Sequence, residues 1–290
     1  MSAPTTAPAA RTLRSSWLRT LAGGAALYGC ITAAALNTQN INLVPSVLVV
    51  GALLIPVTFV VYLFERLRET AAIVPVLAVV FAAGGSLGVA AASVLEYQTR
   101  VDLGTLPMLA VGLIEESVKL AVPVWLLARG RLRSPAEGLL IGVTAGMGFA
   151  ALETMGYGLV ALIRSHGRIA PAEEVLLLRG LLSPVGHAAW TGLVCATLWR
   201  AWPAPRGTRK WRAPAAAFVV AVCLHAVWDS TNSGWLHALL GISSGALLVA
   251  QIRLVLAPAS AFPGLQDATR IQPRSHPCQR AAADTLRHDP

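Results

Sequence analysis

Residues 42–64 read NLVPSVLVVGALLIPVTFVVYLF and contain no charged residue. A helix over them, at 1.5 Å per residue, is about 34 Å long and crosses a hydrocarbon core of about 30 Å. Apolar runs of similar length recur along most of the 290 residues. The chain is 55% hydrophobic and 13% charged, about half the charge content of a soluble domain. Its mean hydropathy is +0.62. These values exclude a disordered chain and a soluble globular domain. The predicted fold class is all-α, a polytopic membrane bundle of about eight transmembrane helices. The predicted spans are 17–36, 42–64, 72–95, 103–127, 136–163, 173–199, 213–230 and 234–256.

Outside these spans the connections are short. The ends, 1–15 and 258–290, are polar and Pro-rich and are expected to be disordered. The membrane-embedded unit is therefore 16–257, with no second soluble domain. Residues 1–16 lack a short apolar segment followed by a cleavage site, so the first span is expected to be retained. Cys30, Cys195 and Cys223 fall in apolar segments and Cys278 in the tail. No CxxC spacing occurs, so neither a zinc ribbon nor a disulfide framework is implied.

The formal net charge is +9, and its distribution gives it a meaning. Arg11, Arg14 and Arg19 lie at the head of the first span. Alternation from there collects Arg66 and Arg68, then Arg129, Arg131 and Arg133, on one side. Arg200, Arg206, Arg209, Lys210, Arg212 and the arginines of the tail join them, while the other side holds Arg100, Arg164 and Arg168. By the positive-inside rule both termini are cytoplasmic, and only an even number of spans keeps this asymmetry. The basic residues form no single face of a folded soluble domain, so no nucleic-acid partner is expected.

Several ionisable residues fall inside apolar segments: Glu115, Glu116, Lys119, Glu153, Arg179, His187, His225 and Asp229. Charge near a bilayer centre costs about 3 kcal/mol on insertion scales, and such residues are functional candidates. Counted from the cytoplasmic ends of their spans, Glu115, His187 and His225 lie roughly 18 Å deep and Glu153 and Asp229 roughly 25 Å deep. Four helices thus place ionisable groups in one slab. His225 and Asp229 are at i and i+4 on one helix face, as are Phe149 and Glu153. Glu153 also follows the stripe of Gly138, Gly142 and Gly146, small residues that let helices approach closely, so it is expected to face inward. Lys119 is i+4 from Glu115 and i+3 from Glu116 and pairs with either.

Imidazoles and carboxylates converging from separate helices are the donor types of a zinc centre. His187, His225, Glu153 and Asp229 supply those types, and Glu115 or Glu116 is left as a general base for the attacking water. The target would be a peptide bond in or near the membrane. Arg179 is close enough to a helix end to snorkel. His166 and His237 receive no role, and Trp125, Trp190 and Trp199 read as packing or interface residues.

EExxK at Glu115–Lys119, FxxxE at Phe149–Glu153 and HxxxD at His225–Asp229, with His187 between the last two, resemble the PrsW family of intramembrane metalloproteases. That family sits in the superfamily of CAAX and bacteriocin-processing proteases. The resemblance covers roughly 103–240, the protease-like core. It implies that Glu115 activates water with support from Glu116 and Lys119. It also implies that Glu153, His187 and His225 hold the metal or polarise the carbonyl, and that Asp229 completes the site. The CAAX pattern has EExxxR and FxxxH, so Lys119 and Glu153 point to the PrsW branch and away from prenyl-protein processing. HExxH, GxSG and GxGD are absent.

The expected function is a zinc-dependent intramembrane endopeptidase acting on a membrane-anchored protein substrate. The expected setting is a multi-pass protein of a bacterial plasma membrane. An ion- or proton-coupled transporter would use the same carboxylates as a relay, and a non-catalytic scaffold would keep the fold alone. The sequence assigns no oligomeric state.

Overall fold

The computed structural model describes residues 15–130, 132–204 and 208–257. The described residues form nine α-helices and no strand. These are α1 (Ser16–Thr38), α2 (Val44–Leu67), α3 (Val74–Leu103), α4 (Met108–Ala128), α5 (Pro135–Arg164), α6 (Ile169–Leu182), α7 (His187–Ala201), α8 (Arg212–Ser230) and α9 (Gly234–Leu256). The polar ends expected to be disordered lie outside the described residues, Ser15 apart. Seven helical stretches are long and apolar enough to cross a membrane, with α6 and α7 counted as one. The chain is a polytopic helical membrane protein. Helix α4 has 21 residues, and the charges of Glu115, Glu116 and Lys119 set it apart from the seven.

Helix α5 is the axis of the bundle and packs against α2, α3, α6 and α7. It starts with a capping box. The Ser134 hydroxyl accepts from the Glu137 N–H at 3.1 Å, and the Glu137 carboxylate accepts from the Ser134 N–H at 2.7 Å, which satisfies amides left over at a helix start. Helix α5 is buried without interruption from Gly138 to Ala151, and Leu139, Leu140, Ile141 and Val143 are fully so. The Gly138, Gly142 and Gly146 stripe explains how α7 comes so close. A Cβ on Gly142 would stand 2.6 Å from the Cys195 Cβ, and one on Gly146 would stand 2.5 Å from the His187 carbonyl oxygen.

Three boundaries differ from those the sequence predicts, the first being the fourth span, expected from 103 but starting as α4 at Met108 after the 104–107 connection. Helix α3 runs to Leu103, beyond the expected end at 95, and stops where Gly104 takes φ +66°. The apolar run ends earlier than the helix because hydropathy reports the bilayer, whereas a helix can continue into polar residues such as Glu96 and Arg100. The sixth span is two helices. Ser183, Pro184 and Val185 form a 3-10 turn between α6 and α7. Pro184 has no amide hydrogen for an α-helical ladder, which breaks the helix there and makes His187 the first residue of α7.

Candidate active site

The site is assembled from α4 outward. Lys119 is fully buried, and its Nζ donates to Glu115 Oε2 at 3.0 Å and to Glu116 Oε1 at 2.9 Å. Its third contact crosses to α7, where His187 Nδ1 lies 2.8 Å away. An ammonium has three N–H donors, so three acceptors satisfy it. The Phe149 ring of α5 lies beneath, with its centroid 4.2 Å from Nζ. A buried charge persists when it is paired and hydrogen-bonded on every side, and Lys119 meets that condition.

Helix α8 closes on α4 because Gly112 is small. A Cβ there would stand 2.9 Å from the Val222 carbonyl oxygen. One turn beyond that close approach, His225 meets the α4 carboxylates. Its Nδ1 is 2.9 Å from Glu116 Oε1, and its Nε2 is 3.5 Å from Glu115 Oε2 and 3.2 Å from Asp229 Oδ2. Glu116 is fully buried and has both oxygens engaged, since Thr191 Oγ1 donates to Oε2 at 3.4 Å. Glu115 is also buried, at 7% exposure against 0% for Glu116.

The outer part of the cluster is built on α5 and α6. Glu153 Oε1 accepts from Arg179 Nη2 at 2.8 Å. Its Oε2 stands 3.1 Å from His187 Nε2, but off the line of a hydrogen bond, and so keeps no hydrogen-bond partner. The Arg179 guanidinium lies 4.0 Å from the Tyr157 ring centroid. Arg179 therefore ties α6 to α5 and does not simply reach for the interface. All seven residues singled out for catalysis or metal binding thus lie in one connected network.

Glu115, His187 and His225 each offer a ligand atom, and these atoms lie within 4.8 Å of one another. A tetrahedral zinc with bonds of about 2.0–2.1 Å spaces its ligand atoms roughly 3.4 Å apart, so the group is somewhat looser than that around a bound ion. Two further carboxylates border it, Glu153 beside His187 and Asp229 beside His225. Imidazole nitrogens, carboxylate oxygens and an unpartnered buried oxygen on Glu153 fit a zinc-type ion in donor chemistry.

Comparison with protein families agrees. Residues 69–258 match the PrsW family intramembrane metalloprotease. The chain belongs to the PrsW family. No curated protein and no solved structure matches it. Membership carries the class of a membrane-embedded metalloprotease, and the match begins well before the core at 103–240 expected from the motifs.

In this PrsW protein, residues without a family motif also shape the site. Trp190 is buried against both histidines, with its ring centroid 4.9 Å from that of His225 and 5.6 Å from that of His187, while the two imidazoles stand 5.3 Å apart. It donates from Nε1 to Ser244 Oγ on α9 at 2.9 Å. Thr191, Ser244 and Glu96 carry no sequence signal of their own. Glu96 Oε1 is buried without a hydrogen-bond partner, one residue past the expected end of the third span. An apolar cavity of about 760 Å³ adjoins the cluster, with His187, Arg179 and Trp190 in its wall.

Proposed function

We propose that this chain is an intramembrane zinc-dependent endopeptidase that hydrolyses a peptide bond of a membrane-anchored protein. We place it in a bacterial plasma membrane with both termini in the cytoplasm, where the arginine-rich connections lie. The observation that carries the reading is the convergence of Glu115, His187 and His225 from α4, α7 and α8 to within 4.8 Å.

Charge divides the carboxylates into two pairs. Glu115 and Glu116 already share the Lys119 ammonium. A second cation on the same oxygens would be opposed by that charge at short range. Asp229 flanks His225, and the Glu153 Oε2 beside His187 has no hydrogen-bond partner. His225, Glu153 and Asp229 therefore supply metal donors clear of Lys119, and His187 joins them through Nε2 once its Nδ1 gives up the Lys119 contact. The ion, when bound, supplies Lewis acidity that polarises the scissile carbonyl and favours water as a nucleophile near neutral pH.

Glu115 takes the proton of the attacking water on its carboxylate and returns it to the leaving amine nitrogen, as a general base and then acid. Glu116 cannot share that role, because Lys119, His225 and Thr191 engage its oxygens. Glu116 and Lys119 instead hold Glu115 and the two imidazoles in register. Trp190 and Phe149 exclude water from the faces of the histidines.

The test is cleavage of a membrane-anchored reporter by purified protein in lipid. Glu115→Gln, His187→Ala and His225→Ala should abolish cleavage while the protein still inserts and elutes as the wild type does. Normal cutting by any of the three would refute the assignment.

A further inference from the structure

The cavity beside the cluster has a direction. Its inner end is His187, Arg179 and Trp190. Its outer wall includes Leu178 of α6 and Ile242 of α9, which are 57% and 71% exposed. In a bilayer those exposed side chains face acyl chains, so the cavity leads from the lipid to the cluster. Its lining is mostly apolar, and at about 760 Å³ it falls within the roughly 300–1,000 Å³ of ligand-binding sites.

Helix α9 adds a second observation. Gly234, Ala238, Gly241 and Gly245 lie on the cavity side, at steps of four, three and four. Small residues at such spacing normally mark a seam where another helix backbone comes close. Among the described residues no helix backbone lies within 4 Å of a Cβ built on Gly234, Gly241 or Gly245. A Cβ on Gly234 would meet nothing within 4 Å, and one on Gly241 or Gly245 would meet only the Val185 side chain, at 3.4 and 3.2 Å. At the inner end, Arg179 lines the cavity and keeps 29% of its side chain exposed, which makes its guanidinium the charged donor there. A lipid acyl chain would leave that donor unsatisfied, whereas a polypeptide brings carbonyl oxygens.

We infer that the cavity between α6, the 183–186 turn and α9 is the docking groove for the apolar transmembrane segment of the protein substrate, admitted sideways from the bilayer. This rests on the protease reading for its purpose, but not for its geometry. The α9 stripe lies along the segment, and Arg179 receives one of its backbone carbonyls beside His187.

The probe is a synthetic Leu/Ala-rich transmembrane peptide carrying a photoreactive residue at mid-length, added to the full chain in nanodiscs. Wild-type protein should give saturable cross-links to α9 and to residues 178–186. Gly241→Leu, which projects four heavy atoms into the groove, should lower the apparent affinity at least tenfold. Gly241→Ala should lower it less, and Gly29→Leu, on the exposed face of α1, should leave it unchanged. The metal-site variant His225→Ala should still bind the peptide. Equal binding by wild type and Gly241→Leu, with both folded by thermal melt, overturns the groove. So does cross-linking of photoreactive lipid that the peptide cannot displace. Peptide binding without cleavage leaves the groove standing and counts against the protease reading alone.

Discussion

Helices α5 and α9 carry the same pattern of small residues in opposite surroundings. On α5, Gly138, Gly142 and Gly146 are pressed against Trp199, Cys195 and the His187 backbone. On α9, Gly234, Ala238, Gly241 and Gly245 border a cavity. In lipid, where apolar burial does not drive helices together, close backbone contact does. The α5 stripe uses that contact to hold His187 against the cluster. The α9 stripe leaves it unused. A sequence pattern of small residues therefore states that a helix can be approached closely, and only the packing shows whether the approaching partner is part of the chain.

The comparison is open to attack by substitution. The largest loss belongs to the closed side. Glu116→Ala would strand Lys119 and His225 without a shared carboxylate, and breaking a buried ion network of this kind costs about 3–5 kcal/mol. The thermal melt of the purified protein should fall sharply, whereas Asp229→Asn, at the exposed rim, should melt near the wild-type temperature. Next comes Gly146→Ala. Its methyl would be driven against a backbone carbonyl at 2.5 Å, and overpacking of this sort costs about 1–3 kcal/mol.

A third change sits where the two regions meet. Glu153→Gln removes the charge that pairs with Arg179 and faces His187 Nε2. Replacing a carboxylate that ligates a metal, or that orients a ligating histidine, lowers metal affinity by at least about 10–100-fold, which a competitive chelator titration would read. The smallest effect belongs to the open side. Gly241→Ala places its methyl at an ordinary 3.4 Å from Val185 and, as a glycine replaced inside a helix, should leave stability unchanged or raise it by up to about 1 kcal/mol. If Gly241→Ala destabilised the protein as much as Gly146→Ala, the two stripes would not differ as described.

Much of this is legible in the amino-acid sequence. The apolar runs set the helices, and i,i+4 spacing places His225 with Asp229 and Glu115 with Lys119. A shared depth brings α4, α5, α7 and α8 to one slab. Three things are not legible. The break before His187 hides in a run that is apolar throughout, and Pro184 alone does not say whether a helix kinks or stops. The tie between Arg179 and Glu153 joins helices through rotamers that no spacing encodes. Glu96 lies beyond the apolar run and so outside the predicted third span, although α3 continues through it. The ligand set is legible only as residue types. The structure shows Lys119 engaging Glu115, Glu116 and His187, and the proposed separation of the carboxylates by role is argued from that contact.

That separation is the central claim, and metal content tests it most directly. Purified protein, after zinc loading and removal of excess ion, should retain about one zinc per chain, as a single site of this donor type would. His225→Ala should retain none, and Glu115→Gln should retain the wild-type amount while failing to cut a reporter. Loss of the metal in Glu115→Gln would make Glu115 a ligand and contradict the division of roles. Equal metal in wild type and His225→Ala would contradict the site itself.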